Sequence, residues 1–108
     1  MRKLNQRALF LSSLAAALLS AGTAHAEVDR ARLKDLVVQD CGSCHGLTLK
    51  GGLGRPLTRD ALENFPTETV RDIILDGLPG TPMPPWRPLL TEREAGVIAE
   101  MLKSGDLP

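Results

Sequence analysis

Apolar residues recur at helical spacing in three stretches of this chain, and strand-like alternation is absent. From Glu27 to about Asp40, the residues Ala31, Leu33, Leu36, Val37 and Cys41 form a broad apolar stripe. That stripe predicts a helix, with Asp29 placed to cap it and an acidic start suited to the helix dipole. Gly51, Gly52, Gly54 and Pro56 make residues 46–57 a loop. Thr58 is placed to cap a short helix of about one turn, Arg59 to Asn64, which Phe65-Pro66 interrupts. Pro66 or Thr67 opens the next helix, with Val70, Ile73 and Ile74 apolar, and Gly77 after Asp76 marks its end. Residues 78–88 contain Pro79, Pro82, Pro84, Pro85 and Pro88. Each proline fixes φ and removes an N–H donor, so this segment is stiff and extended. Thr91-Glu92-Arg93-Glu94 has the form of a capping box, with Leu90 and Ala95 as its hydrophobic staple. The last helix then runs to about Lys103, with Ala95, Ile98, Met101 and Leu102 on one face and Gly105 as terminator. The pattern predicts an all-α fold: three main helices, one short one and no strand.

The N-terminus has a different pattern. Arg2, Lys3 and Arg7 precede an uncharged apolar run from Ala8 to Gly22, and Ala24-His25-Ala26 fits a small-x-small cleavage site. This is the form of a cleaved secretory signal over residues 1–26, which places the mature protein in the periplasm. The run is roughly 15 residues, short of the about 20 a membrane span needs, so no membrane anchor is expected after cleavage. Residues 27–108 form one small domain, short enough to need a covalent or metal staple beyond its own core.

Charge narrows the partners. The whole chain balances 13 basic against 13 acidic residues, and the signal removes three of the basic ones, leaving a net charge near −3. Nothing here favours nucleic acid. Glu92, Glu94 and Glu100 read as a solvated helix face.

Chemistry concentrates in Cys41-Gly42-Ser43-Cys44-His45. Cys-x-x-Cys-His is the covalent attachment site of a c-type haem: two thiols reach two vinyl groups and the next imidazole lies under the iron. A thiol–disulfide pair would want a βαβ setting, and a zinc site about four ligands; neither is present. His45 is the only histidine of residues 27–108, which excludes bis-histidine ligation within the chain. Two methionines can offer a thioether. Met101 lies on the apolar face of the last helix and reads as core. Met83 stands between prolines in Thr81-Pro82-Met83-Pro84-Pro85, where a loop with few conformations can hold a weak ligand on iron. The expected site is thus Cys41 and Cys44 for attachment, with His45 and Met83 on the metal of one haem c.

The order of helix, attachment motif, Gly-rich loop, short helices, Met loop and final helix resembles the class I c-type cytochromes over the whole of residues 27–108. More narrowly, Asp40-Cys41-Gly42-Ser43-Cys44-His45-Gly46 together with Gly80-Thr81-Pro82-Met83-Pro84-Pro85-Trp86 is similar to the cytochrome c55X family, encoded beside cytochrome-cd-type nitrite reductase in denitrifying bacteria. The resemblance implies a small class I cytochrome c fold wrapped around one haem. In many of these proteins a carbonyl in Gly-Pro-x-Leu accepts a hydrogen bond from the ligand histidine. This chain has Gly54-Arg55-Pro56-Leu57, so the acceptor would belong to Arg55 or Pro56. Trp86 stands where related loops often carry Asn, and reads as a packing residue. The family also crosses its first and last helices closely; Gly96 is a candidate for that approach. Arg55, Arg59 and Arg87 are candidates to pair with the haem propionates.

These readings converge on a monomeric one-electron carrier rather than an enzyme, since no spare catalytic set accompanies the haem ligands. Leu53, Pro82, Pro84 and Pro85 would form a small apolar docking rim. The resemblance implies nitrite reductase as the redox partner. Two alternatives are a role in maturing that reductase's special haem, and a gas-binding haem with Met83 displaced, against which the proline cage argues.

Overall fold

Asp29 opens the first helix: its side chain accepts a 3.0 Å hydrogen bond from the Arg32 N–H. The structure is a computed structural model that describes Gly22 and residues 25–108. Apart from Gly22, His25 and Ala26, the expected signal sequence lies outside the described residues. Helix α1 spans Arg30–Leu36, a π-helical turn covers Val37–Cys41, and α2 continues as Gly42–His45. The three are joined end to end. The helix therefore starts later than Glu27 and does not stop at Asp40, but carries the whole attachment motif to its end at His45. Glu27, the acidic residue before Asp29, lies outside it, and the first turn carries no acidic residue, so only the Asp29 cap remains of the expected acidic start.

Helix α3 is Arg59–Leu62, α4 is Thr67–Asp76 and α5 is Glu92–Ser104; no strand occurs among the described residues. The boundaries match the expected caps. Thr58 Oγ1 accepts from the Ala61 N–H at 3.4 Å. Pro66 and Gly77 flank α4. Thr91 and Glu94 close both halves of the capping box, at 3.2 Å and 2.9 Å. Gly105 ends α5 in the left-handed conformation.

Helix α5 is the element on which the others assemble. It packs most extensively against α4 and also meets α3 and α1. Leu33 and Val37 from the first helix join Val70, Ile74 and Leu75 of α4 and Ile98, Met101 and Leu102 of α5 in one core. Met101 is 0% exposed, in agreement with its reading as core. Gly96 does not serve the α1 crossing: a Cβ there would face Arg71 of α4 at an ordinary 3.9 Å. The two ends of the domain are tied instead by an ion pair between Arg32 of α1 and Glu94 in the first turn of α5.

A second tie comes from Lys103 near the end of α5. Its Nζ donates to the carbonyls of Leu62 at 2.9 Å and Glu63 at 3.5 Å, and to that of Phe65. These groups end α3 or come just after it, where helix carbonyls lack intrahelical partners. No helix among the described residues is long and apolar enough to cross a membrane.

Candidate haem site

Cys41 closes the π turn, and Cys44 and His45 end α2. An unbroken α-helix would continue the stripe of Leu33 and Val37 through Cys41 and Cys44. The π turn admits one extra residue and rotates the helix beyond it. Cys44 is accordingly exposed, while Gly42 takes the buried position and Cys41 is half-buried. Both thiols are free. Burial first, and then the Asp40 charge, pushes the Cys41 thiol up to about 11. It stays protonated at neutral pH, which makes it a slow partner in thiol–disulfide exchange.

The Gly-rich loop folds back over the end of α2. The Gly51 N–H donates to the His45 carbonyl and the Gly54 N–H to the Cys44 carbonyl, each at 2.8 Å. Those carbonyls would otherwise be unpaired at the helix C-terminus. Leu49 anchors the loop. It is buried, bonds Gly46 and Leu57 through its main chain, and adopts a left-handed φ of 59° that leucine rarely occupies. That conformation costs roughly 1–3 kcal/mol, which burial of the side chain offsets.

The same loop orients the histidine. His45 Nδ1 lies 2.7 Å from the Arg55 carbonyl oxygen. A carbonyl only accepts, so Nδ1 is the donor, and in the neutral ring the lone pair then falls to Nε2. Between Arg55 and Pro56, the acceptor is Arg55. Its guanidinium stacks over the Phe65 ring, 5.1 Å from the centroid. Gly54 lies flat against the imidazole: a Cβ there would stand 2.7 Å from Nδ1 and Cε1. Glycine is required for this approach. Only the density of glycines in the loop hinted at this in the sequence.

Met83 stands on a separate loop rooted on α4. Its side chain is half-buried. Its N–H donates to Thr81 Oγ1 at 3.3 Å, and that hydroxyl donates to the Leu78 carbonyl at 2.7 Å. Gly77 starts the loop at φ 70°, and a Cβ there would lie 2.6 Å from the Met83 carbonyl oxygen. Trp86 packs, partly buried, against the core. Leu53 is 97% exposed, and Pro82, Pro84 and Pro85 are also exposed. Of the three arginines considered for the propionates, Arg87 is engaged elsewhere, bonded to Asp76 and Glu92.

The donor set suits haem c. Cys41 and Cys44 could form the thioether links, and His45 and Met83 could supply an imidazole nitrogen and a thioether sulfur to the iron.

The family model described as "Cytochrome C oxidase, cbb3-type, subunit III" matches residues 28–102. A cytochrome c55X of Paracoccus denitrificans (strain Pd 1222) is 58% identical over 89 residues, covering 79% of this chain and 86% of that protein. The chain belongs to the cytochrome c55X family of c-type cytochromes. Among solved structures, this cytochrome is similar to a "c-type cytochrome NirC", with TM-score 0.72 and 49% identity over 73% of this chain and 94% of that one. It also resembles part of "Dihydro-heme d1 dehydrogenase NirN in complex with DHE", with TM-score 0.61 and 30% identity over 65% of this chain and 15% of that one. The fold is a small all-α cytochrome c fold, and a cytochrome c domain implies covalently bound haem c.

Proposed function

We propose that residues 27–108 form a periplasmic monohaem cytochrome, released by cleavage of the signal at residues 1–26. Cys41 and Cys44 attach the haem, and His45 and Met83 ligate its iron. The protein carries single electrons, acts as a monomer and is not itself an enzyme. Its acceptor is a cytochrome-cd-type nitrite reductase in denitrification. The observation that carries this reading is the 2.7 Å bond from His45 Nδ1 to the Arg55 carbonyl, which leaves Nε2 of the attachment motif's histidine available as a donor.

The haem supplies a reversible one-electron change at iron. The chain supplies rigidity around it. The Gly-rich loop holds the His45 ring in one orientation and makes it more basic. The Met83 loop loses little entropy on ligation because its prolines already restrict it. A site saturated by two chain donors in both oxidation states reorganises little on electron transfer. Leu53, Pro82, Pro84 and Pro85 offer a small apolar contact of the kind transient redox pairs use.

A second reading has its own support. The likeness to one segment of a dihydro-haem d1 dehydrogenase favours a redox or delivery step in maturing the reductase's special haem. A deletion strain separates the two. Lost electron supply leaves a reductase with its full cofactor, and lost maturation leaves one without it.

The ligand assignment is tested by the spectrum of the haem-loaded protein, oxidised and then reduced under carbon monoxide, beside Met83→Ala. A weak far-red thioether-to-ferric band, lost in the variant, with no carbon monoxide uptake by the parent, is expected. Ready uptake without that band would sink the carrier assignment in favour of a gas-binding haem.

A further inference from the structure

The loop that carries Met83 leaves α4 at Asp76 and returns at Arg87, and its neck is closed twice. The main chain closes it first. The Trp86 N–H donates to the Ile74 carbonyl at 3.1 Å, and the Arg87 N–H to the Leu75 carbonyl at 3.0 Å. Side chains then close it again. Arg87 Nε lies 2.8 Å from Asp76 Oδ1, and Nη2 lies 3.1 Å from Oδ2. This is the two-point fork that fixes geometry as well as distance. Nη1 of the same guanidinium reaches Glu92 Oε1 at 3.4 Å, in the first turn of α5. One side chain thus joins the end of α4, the exit of the loop and the start of α5. The pairing holds the Asp76 carboxyl below the usual carboxylate range.

Exposed ion pairs contribute little to global stability. Opening one surface loop is a much smaller event than global unfolding, however, and takes correspondingly less free energy. A small contribution at the neck is therefore a large fraction of what keeps this loop shut. Within the loop, Pro79, Pro82, Pro84 and Pro85 leave few torsions able to absorb a displacement, so movement at the neck passes to the tip.

We propose that the Asp76–Arg87 fork is a positioning clasp for Met83, setting how often the thioether leaves the iron. This rests on the reading that Met83 is a ligand. An external ligand can bind only in the open fraction, so its apparent affinity measures that fraction.

The test titrates imidazole into the haem-loaded protein and tracks loss of the far-red band. Arg87→Gln and Asp76→Asn should each tighten imidazole binding about two- to fivefold. The double variant should bind no more tightly than Arg87→Gln, which already removes the fork together with the Glu92 contact. Arg87→Lys should fall between, keeping charge without the fork. Molar salt should move the unmutated protein toward the variants and leave Arg87→Gln, which keeps neither ion pair, unmoved. Arg71→Gln, which breaks an ion pair with Asp72 outside the loop, should change nothing. Equal imidazole affinity in all variants and at both salt levels, with the band intact, would overturn the clasp. So would a loss of global denaturation midpoint that fully accounted for the tighter binding. Absence of the band in the unmutated protein would overturn the Met83 reading itself, and the clasp with it.

Discussion

The carbonyl oxygen of Arg55 sits 2.7 Å from His45 Nδ1, and Gly54 beside it presses on the same imidazole. Because the acceptor is main chain, replacing the Arg55 side chain does not remove it. Arg55→Gln should lose the Phe65 stack but keep the histidine's hydrogen bond, leaving haem content and the iron–imidazole signature unchanged. Gly54→Ala should push a methyl into the ring. We expect at least a severalfold fall in haem-loaded protein, read by pyridine haemochrome yield against total protein, consistent with the penalties of shifting a ligand's supporting contacts.

Gly77→Ala meets two obstacles. The backbone is at φ 70°, and the new Cβ would stand 2.6 Å from the Met83 carbonyl oxygen. With ψ at −172° this backbone lies in a region that is essentially glycine's own and costs about 1–3 kcal/mol for a residue with a Cβ. The expected outcome is selective: haem remains attached through Cys41 and Cys44, while the far-red band weakens or disappears. Equal loss of attachment and band would show the change to be global.

Glu94 should give the fold a defined acid sensitivity. Its carboxylate accepts from the Thr91 N–H and hydroxyl and pairs with Arg32, and these contacts hold it below the ordinary carboxylate range. A folded-state pKa below the unfolded one means the contribution is complete above the unfolded value. It is lost as pH falls through the folded one. Glu94→Gln should therefore lower the denaturation midpoint at neutral pH, and the gap to the parent should close as the medium is acidified below about pH 4. Thr91→Ala removes the other half of the box and should cost about 1 kcal/mol.

Lys103→Met keeps the aliphatic stem but abandons the carbonyls of Leu62, Glu63 and Phe65. Hydrogen bonds from a charged donor contribute about 1.5–3 kcal/mol, so thermal unfolding of the haem-loaded protein should shift down by several degrees. A Met variant as stable as the parent would show that water can replace the ammonium at these groups.

Much of the fold could be read from local signals. Asp29, Thr58, Thr91, Gly77 and Gly105 announced helix ends because capping is chemistry between residues three or four apart. What sequence could not reveal was joined over distance. Lys103 reaches groups 41 and 38 residues away. Arg87 meets Asp76 across the whole of the proline-rich loop, a pairing that composition cannot show. Gly96 faced α4 because helix crossing depends on the whole packing, not on where a small residue occurs. The π turn left no trace either, since a helix admits an extra residue without a distinctive local sequence. The proposed haem-binding residues Cys41, Cys44, His45 and Met83 all stand out in the sequence as residue types at telling positions. The glycines that set their geometry were visible only as loop formers.

The π turn at Val37–Cys41 works as a phase shift in the helix that carries the attachment motif. Leu33 and Val37 belong to one angular frame and Cys44 and His45 to another. Each residue of an α-helix turns the chain by about 100°, so removing a single residue from 38–40 would realign the two frames without altering either set of side chains. The core would still find its anchors, and the motif would still read Cys-x-x-Cys-His, but it would be aimed at a different neighbour. Three unremarkable residues thus act as the indexing mark of the site, tolerant of what they are and intolerant of how many they are.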